Sequence, residues 1–328
     1  MKSSKLKWIL PLVIASMSLS GCDFLSNIPI IGGLFQSVSG GNDIDYASAS
    51  REVKKYYKDV DIRNDTGEYL CEALHELMWK THTNEIKYSQ FETYCRASDT
   101  RKSIENVPGT NLNESFYSGV QVSGYKGNRE HVWPAANSSG LWDHDKLDDK
   151  KVPYIGGGSD LYHVRMCNSS TNTLRGNSAF VDFDDFPNIT GVKTINLSDS
   201  KYEGNSSAKA VKVTGGEEEN GKLTFVNRIE VDDSMKGDVA RIIAYLWIHY
   251  SSMPNTPSSK ASKCGSLSLK SVIGYETPEK CQEVLCQWNK LDKPSAVEKQ
   301  RNETVFKIQG NRNPFVDFPG LMDACFDL

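Results

Sequence analysis

The sequence has no surplus of positive charge. Over 328 residues, 38 Lys and Arg stand against 42 Asp and Glu, a net charge of −4. A protein that held a polyanion by bulk charge would be basic, so phosphate chemistry here would fall to a local site or a bound metal. No helix-turn-helix, zinc-finger or RNA-recognition signature is present, and base-specific readout is not expected. No C-x-x-C occurs, and Cys281 and Cys286 have no histidine-rich set around them. That argues against a zinc site. There is no internal repeat, and beyond the N-terminus no apolar run approaches the ~20 residues of a membrane helix. What remains, 38% hydrophobic and 24% charged, is the composition of a globular protein with a sizeable core. It excludes a coiled-coil rod, a collagen-like fibre and a fully disordered chain.

The N-terminus is built differently. Lys2, Lys5 and Lys7 precede an apolar run from Trp8 to Leu19, too short for a comfortable span, which ends in Leu19-Ser20-Gly21-Cys22. Residues 1–22 resemble a bacterial lipoprotein signal peptide ending in a lipobox, in which the Cys22 thiol is lipidated. An ordinary secretory signal with an incidental cysteine is the weaker reading. Both imply export, either held at a membrane through Cys22 or released. Residues 23–48 mix Ser, Gly and Asn with a short apolar piece and are expected to form a flexible tether. Residues 49–328 then make one folded domain. Outside the cytoplasm most of the seven cysteines other than Cys22 should pair. Seven is odd, so at least one stays free or pairs between chains, and the connectivity is open.

Apolar spacing predicts two helices, and capping signals a third. One covers 68–80, with Leu70, Leu74, Leu77 and Met78 on one face. A second covers 237–250, with Val239, Ile242, Ile243, Leu246, Trp247 and Tyr250. A third covers 295–309, opened by a Ser295-x-x-Glu298 capping box and closed by Gly310. Residues 188–232, rich in Thr, Val, Ser and Gly, read as short strands and turns.

Histidine is scarce, at six residues, so each can be weighed. His75 and His249 lie in predicted helices and read as structural; His82 and His144 stand in polar, loop-like sequence. His131 is different. It sits in Gly127-Asn128-Arg129-Glu130-His131-Val132-Trp133-Pro134, where Pro134 should end a strand and leave polar side chains facing a cleft. Some thirty residues on, Asp160-Leu161-Tyr162-His163-Val164-Arg165 alternates like a second strand. Ser169 or Ser170 can then cap a short helix that carries Asn172 and Arg175, i and i+3, on one side.

These two segments resemble the endonuclease I family of exported bacterial nucleases. Further blocks agree: Asn172-x-x-Arg175-x-Asn177, Lys236-Gly237-Asp238-Val239-Ala240-Arg241, and Glu298-x-x-Arg301-Asn302 leading to Gln309-Gly310-Asn311-Arg312-Asn313-Pro314-Phe315-Val316-Asp317. Five ordered blocks from about 68 to 320 are far more specific than one motif. Tyr162 departs from a position where the family often has His, and Met166-Cys167 replaces a common Pro-Ser.

The resemblance implies an α+β fold, with a ββα-metal (His-Me) finger wrapped by helices and stabilised by disulfides. It implies cleavage of phosphodiester bonds in DNA, with RNA open as a second substrate, and no protein partner. A phosphodiester resists water because its oxygens repel nucleophiles and its leaving group is poor. Hydrolysis therefore needs a base, a cation and help for the leaving oxygen. By resemblance His131 is the base, and Glu130 and Asn172 hold Mg²⁺, with Mn²⁺ or Ca²⁺ as substitutes. Arg175 either grips a phosphate or forms a structural ion pair, and Arg129 carries the same ambiguity. His163 is expected to support rather than react. Asn311, Arg312 and Asn313 are candidates for backbone phosphates. Adjacent strand residues point to opposite faces, so Glu130 and His131 can serve one site only where the strand bends or ends. Two rivals remain. One is a non-catalytic nucleic-acid-binding surface lipoprotein on a nuclease scaffold; the other is a phosphatase or phosphodiesterase of small nucleotides.

Overall fold

A computed structural model describes residues 44–98, 112–123, 127–137, 156–214, 218–219, 222–223, 228–261 and 264–328. The expected signal peptide, its Cys22, most of the tether and His144 lie outside these. No helix among the described residues is long and apolar enough to cross a membrane.

Helices α1 (Arg51–Tyr56), α2 (Gly67–Thr81) and α3 (Phe91–Ser98) come first, followed by a hairpin of β1 (Leu112–Ser115) and β2 (Val120–Ser123). A second hairpin pairs β3 (Asn128–His131) with β4 (Val164–Cys167), and α4 (Ser169–Arg175) follows at once. Next come β5 (Ala179–Phe180), β6 (Lys193–Asn196), β7 (Ala210–Thr214), the small pair β8 (Glu218–Glu219) and β9 (Lys222–Leu223), and β10 (Arg228–Glu230). Four of these form a sheet in the order β5-β10-β7-β6, parallel only between β5 and β10. Residues 188–232 are thus the expected short strands. The chain ends in helices α5 (Asp233–Tyr250), α6 (Pro278–Leu291), α7 (Ala296–Gln309), α8 (Pro314–Asp317) and α9 (Leu321–Phe326).

The core forms around α5. Val239, Ile243, Leu246 and Tyr250 are fully buried, on a helix packed against α2, α6 and α8. Each such aliphatic side chain contributes about 1.5–3 kcal/mol by leaving water. The helix starts a turn earlier than its apolar spacing predicts because Asp232 caps it, accepting from the Ser234 amide at 3.1 Å. Ser295 caps α7, with its Oγ accepting from Glu298 N at 3.1 Å. The expected capping box is only half made. The Glu298 carboxylate turns instead to Arg241, which grips it bidentately at 2.6 and 2.6 Å. A buried guanidinium outcompetes a solvated backbone amide for that carboxylate. Gly310 closes α7 at φ +94°, where a Cβ would run into the Thr81 carbonyl.

Disulfide staples are the expectation that needs correcting. Cys71, Cys167, Cys281, Cys286 and Cys325 are buried free thiols, Cys95 is buried as well and Cys264 half-buried. Cys71 donates to Cys325 O at 3.5 Å, Cys167 to Phe116 O at 3.5 Å and Cys281 to Ile273 O at 3.4 Å. These cysteines behave as small apolar core residues with weak donors. Buried ion pairs tie the helices instead. Besides Arg241–Glu298, Arg312 meets Asp317 at 2.7 and 2.8 Å and also pairs with Glu303.

Candidate active site

Gly127 opens the β3–β4 hairpin at φ +145°, pressed so close to the Cys167 carbonyl that a Cβ would not fit. The register pairs Arg129 with Met166, Glu130 with Arg165 and His131 with Val164. The next residue after β4, Asn168, caps α4: its Oδ1 accepts from Ser170 N at 2.8 Å and Thr171 N at 3.4 Å. The cap is therefore one residue ahead of the expected serines. Strand, strand and helix follow one another, and α4 packs on β3.

Asn172 and Arg175 do share a side of α4, and that side runs along β3. Asn172 Nδ2 donates to Arg129 O at 3.4 Å. Arg175 Nη2 donates to Val132 O at 2.6 Å, and Nη1 to His131 O at 3.2 Å and Gly176 O at 3.1 Å. The same Nη1 lies 3.5 Å from Glu130 Oε1, and the guanidinium sits 4.7 Å over the Phe180 ring. Arg175 is 1% exposed. It clamps the helix to the strand end, with Nη1 and Nη2 taken up by main-chain carbonyls.

Alternation along β3 separates its side chains. Glu130 is buried, whereas Arg129 and His131 are half-buried. The strand ends on His131, and the chain bends at Val132 and Trp133. Glu130 Oε1 accepts from Tyr117 OH at 2.6 Å. Burial pushes its carboxyl up, while Arg175 and the Tyr117 hydroxyl pull it back down. Neither Glu130 Oε2 nor Asn172 Oδ1 has a hydrogen-bond partner among the described residues. Two hard oxygens so left suit Mg²⁺, which takes one or two protein oxygens and keeps several waters.

His131 Nε2 lies 3.0 Å from Gly158 O. A carbonyl can only accept, so Nε2 carries the hydrogen and the basic lone pair is on Nδ1. Burial, aided by the charges of Arg129 and Arg175 and opposed by the Gly158 bond, lowers the imidazole to about 4. That is well below its ordinary value of roughly 6.5, and the ring is neutral near pH 7. The neighbouring His163 is held the same way. Its Nδ1 donates to Gly157 O at 2.6 Å and its Nε2 accepts from Trp133 N at 2.9 Å. Burial, with His131 beside it, lowers this ring to about 3. With both nitrogens engaged, His163 ties the end of β3 to the turn Gly157–Ser159.

The other sequence candidates have structural places. Asn311, Arg312 and Asn313 are at most 2% exposed, so they do not reach a phosphate. Asn311 donates to Tyr245 OH at 2.7 Å and Asn313 to Arg241 O at 3.1 Å. Tyr162, the departure from the family pattern, donates to Asn311 O at 2.9 Å and so moors the hairpin to the loop after α7. Lys236 is buried between Asp182 at 2.9 Å and Glu230 at 3.3 Å.

Two groupings had no signal in the sequence. His82, Asp160 and His249 converge in the interior as a set that could hold a metal ion, although 167 residues separate the two histidines. His82 Nδ1 is 3.1 Å from His249 Nε2. Asp160, however, already accepts four hydrogen bonds, from Tyr245 OH, Tyr250 OH, Tyr162 N and Gln309 Nε2, at 2.7, 2.8, 2.7 and 3.1 Å. Its lone pairs are engaged, and an ion there would have to displace a donor. The second grouping is Tyr88 with β3. Its ring stacks on His131, with centroids 5.8 Å apart at 18°, and the Arg129 guanidinium lies 4.3 Å over it.

The hairpin and the capped helix that packs on it carry Glu130, His131 and Asn172 on neighbouring elements. The chain belongs to the endonuclease I family, whose model matches residues 66–320. It is also similar to two proteins named extracellular ribonuclease. The one from Bacillus subtilis (strain 168) is 29% identical over 323 residues, covering 96% of this chain and 92% of the relative. The one from Bacillus amyloliquefaciens is 27% identical over 281 residues, covering 84% and 78%.

Proposed function

We propose that the protein is an exported, metal-dependent endonuclease of ββα-metal (His-Me) type, cleaving DNA and also RNA with little sequence preference. One observation carries this reading. His131 has its Nε2 hydrogen committed to Gly158 O, which puts the basic lone pair on Nδ1, at the end of the strand that also carries Glu130 and on which α4, with Asn172, packs. In this mechanism Nδ1 takes a proton from the attacking water as its oxygen bonds to phosphorus and the 3′-oxygen leaves. Gly158 holds the ring in the required tautomer, and Arg175 holds the strand end in place. Glu130 Oε2 and Asn172 Oδ1 would hold Mg²⁺, which supplies charge stabilisation for the phosphorus centre and the leaving oxygen.

Membership of a nuclease family supports phosphodiester hydrolysis. The names of the two relatives support export and the inclusion of RNA. Anchoring at the membrane through a lipidated Cys22 rests on Leu19-Ser20-Gly21-Cys22. Nicking of a supercoiled plasmid and cleavage of a long RNA, each with Mg²⁺ and with EDTA, tests the activity. His131→Ala should lower the rate by about 10²–10⁴ with the fold preserved. Undiminished cleavage by that variant would overturn the base assignment. A wild-type protein that binds DNA but cleaves nothing in Mg²⁺, Mn²⁺ or Ca²⁺ would make it a binding module. Loss of membrane association in Cys22→Ser tests the anchor.

A further inference from the structure

We infer that Arg129, stacked on Tyr88, is the phosphate anchor of the site: it binds a backbone phosphate beside the bond that is cut. This rests on the nuclease reading above and names the residue that reading lacks. Arg175, the obvious guanidinium, is buried and bonded to main-chain carbonyls. Arg129 differs in every respect that matters. It is half-buried rather than buried, and it stands two residues from His131 on the same face of β3. Among the described residues its side chain has no carboxylate or carbonyl partner; its guanidinium lies over the Tyr88 ring, 4.3 Å away. A cation left without a counter-charge beside a reactive imidazole costs free energy in the empty protein. It is understandable when an anion completes it.

Stacking also defines the geometry. A guanidinium lying flat on an aromatic face keeps its N–H edge in plane and free, the edge that matches two phosphate oxygens. Tyr88 is itself held in place. It opens the turn Tyr88–Gln90, two residues after Ile86, whose carbonyl accepts from Ser159 Oγ at 2.6 Å. Ser159 belongs to the same turn, Gly157–Ser159, that orients His131 and His163. Base and anchor are therefore referenced to one turn. Because a phosphate is common to DNA and RNA, both should use it.

The test compares Arg129→Gln, Arg129→Lys, Tyr88→Phe and Tyr88→Leu in the full chain. Cleavage of plasmid and RNA gives kcat and KM. Binding of a short duplex oligonucleotide in the His131→Ala background gives Kd against salt. Arg129→Gln should raise KM and Kd about tenfold, as for loss of a charge-assisted pair, with kcat changed far less. The slope of log K against log salt should fall by about one, the loss of one phosphate contact. Arg129→Lys should keep the slope but not the full affinity, Tyr88→Phe should resemble wild type, and Tyr88→Leu should fall between. A merely structural residue would move the melting temperature and leave the salt slope alone. A wild-type slope and KM in folded Arg129→Gln overturns the inference, as does a Tyr88→Leu variant with wild-type KM and Kd. If wild type binds but does not cleave, the nuclease reading fails, and the salt slope still decides the anchor.

Discussion

Arg175 Nη1 lies 3.5 Å from Glu130 Oε1, and both side chains are at most 2% exposed. The pair is buried, and the same guanidinium satisfies the carbonyls of His131 and Val132. Removing one partner of such a pair strands a charge and two acceptors in the interior, which costs about 3–5 kcal/mol. Arg175→Ala should therefore lower the urea midpoint by a large fraction of the total stability. Its residual activity should track the folded fraction rather than show a raised KM. A folded Arg175→Ala with normal stability and impaired substrate binding would return this residue to a phosphate-gripping role.

That contrast marks how far the sequence is legible. Spacing on α4 correctly puts Asn172 and Arg175 on one side, because i and i+3 neighbours follow from helix geometry alone. It says nothing of which side is buried, and burial is what separates a clamp from a substrate contact. Helices α2 and α5 are readable from their apolar stripes, and α7 from Ser295 at its start and Gly310 at its end. Helix ends are less so, because caps such as Asp232 on α5 and Asn168 on α4 act through geometry that several polar residues can supply. Tyr88 and Gly158 reach His131 from 43 residues before it and 27 after it, where no local pattern points to them. Cysteine count and compartment raise the expectation of disulfides, which the described residues do not show. The Cys71 thiol lies against Cys325, with Cys286 near by, while Cys167 and Cys281 bond to the carbonyls of Phe116 and Ile273.

The metal requirement divides between two places. If Glu130 and Asn172 hold the ion, Glu130→Gln and Asn172→Ala should each abolish the EDTA-sensitive activity. Each should also remove the Mn²⁺ bound stoichiometrically in an electron paramagnetic resonance titration. Loss of binding separates this from a purely catalytic defect. A stoichiometric Mn²⁺ signal that survives both substitutions would shift the site to His82, Asp160 and His249.

Gly310 is required by its backbone and by its neighbour at once. At φ +94° an L side chain is strained, and a Cβ would meet the Thr81 carbonyl at the end of α2. The left-handed conformation alone costs about 1–2 kcal/mol. Gly310→Ala should lower the melting temperature by several degrees and, by pushing α7 from α2, loosen the Asn84–Ile308 bond of 2.8 Å. Hydrogen exchange at the C-terminus of α7 would rise before exchange in α5. An unchanged melting temperature would mean the neighbouring turn yields freely.

Acid should unfold the protein through its buried, neutral imidazoles. His163 is lowered by burial to about 3 in the fold, against roughly 6.5 in an unfolded chain. Between those values the unfolded chain binds a proton that the folded one refuses. Stability is therefore complete above pH 6.5 and declines as the pH falls towards 3, by up to about 1.4 kcal/mol per unit for this one group. His249, lowered by burial and by His82 beside it, adds to the slope. In His163→Gln the amide can still donate to Gly157 O and accept from Trp133 N, but it cannot titrate. Urea unfolding at pH 4, 5, 6 and 7 should show this variant weaker than wild type at pH 7 and less sensitive to acid, its stability-against-pH slope reduced by one proton. Parallel slopes for the two proteins would mean that the His163 imidazole is already charged in the fold, donating to the carbonyls of Gly157 and Trp133, and would overturn the neutral assignment.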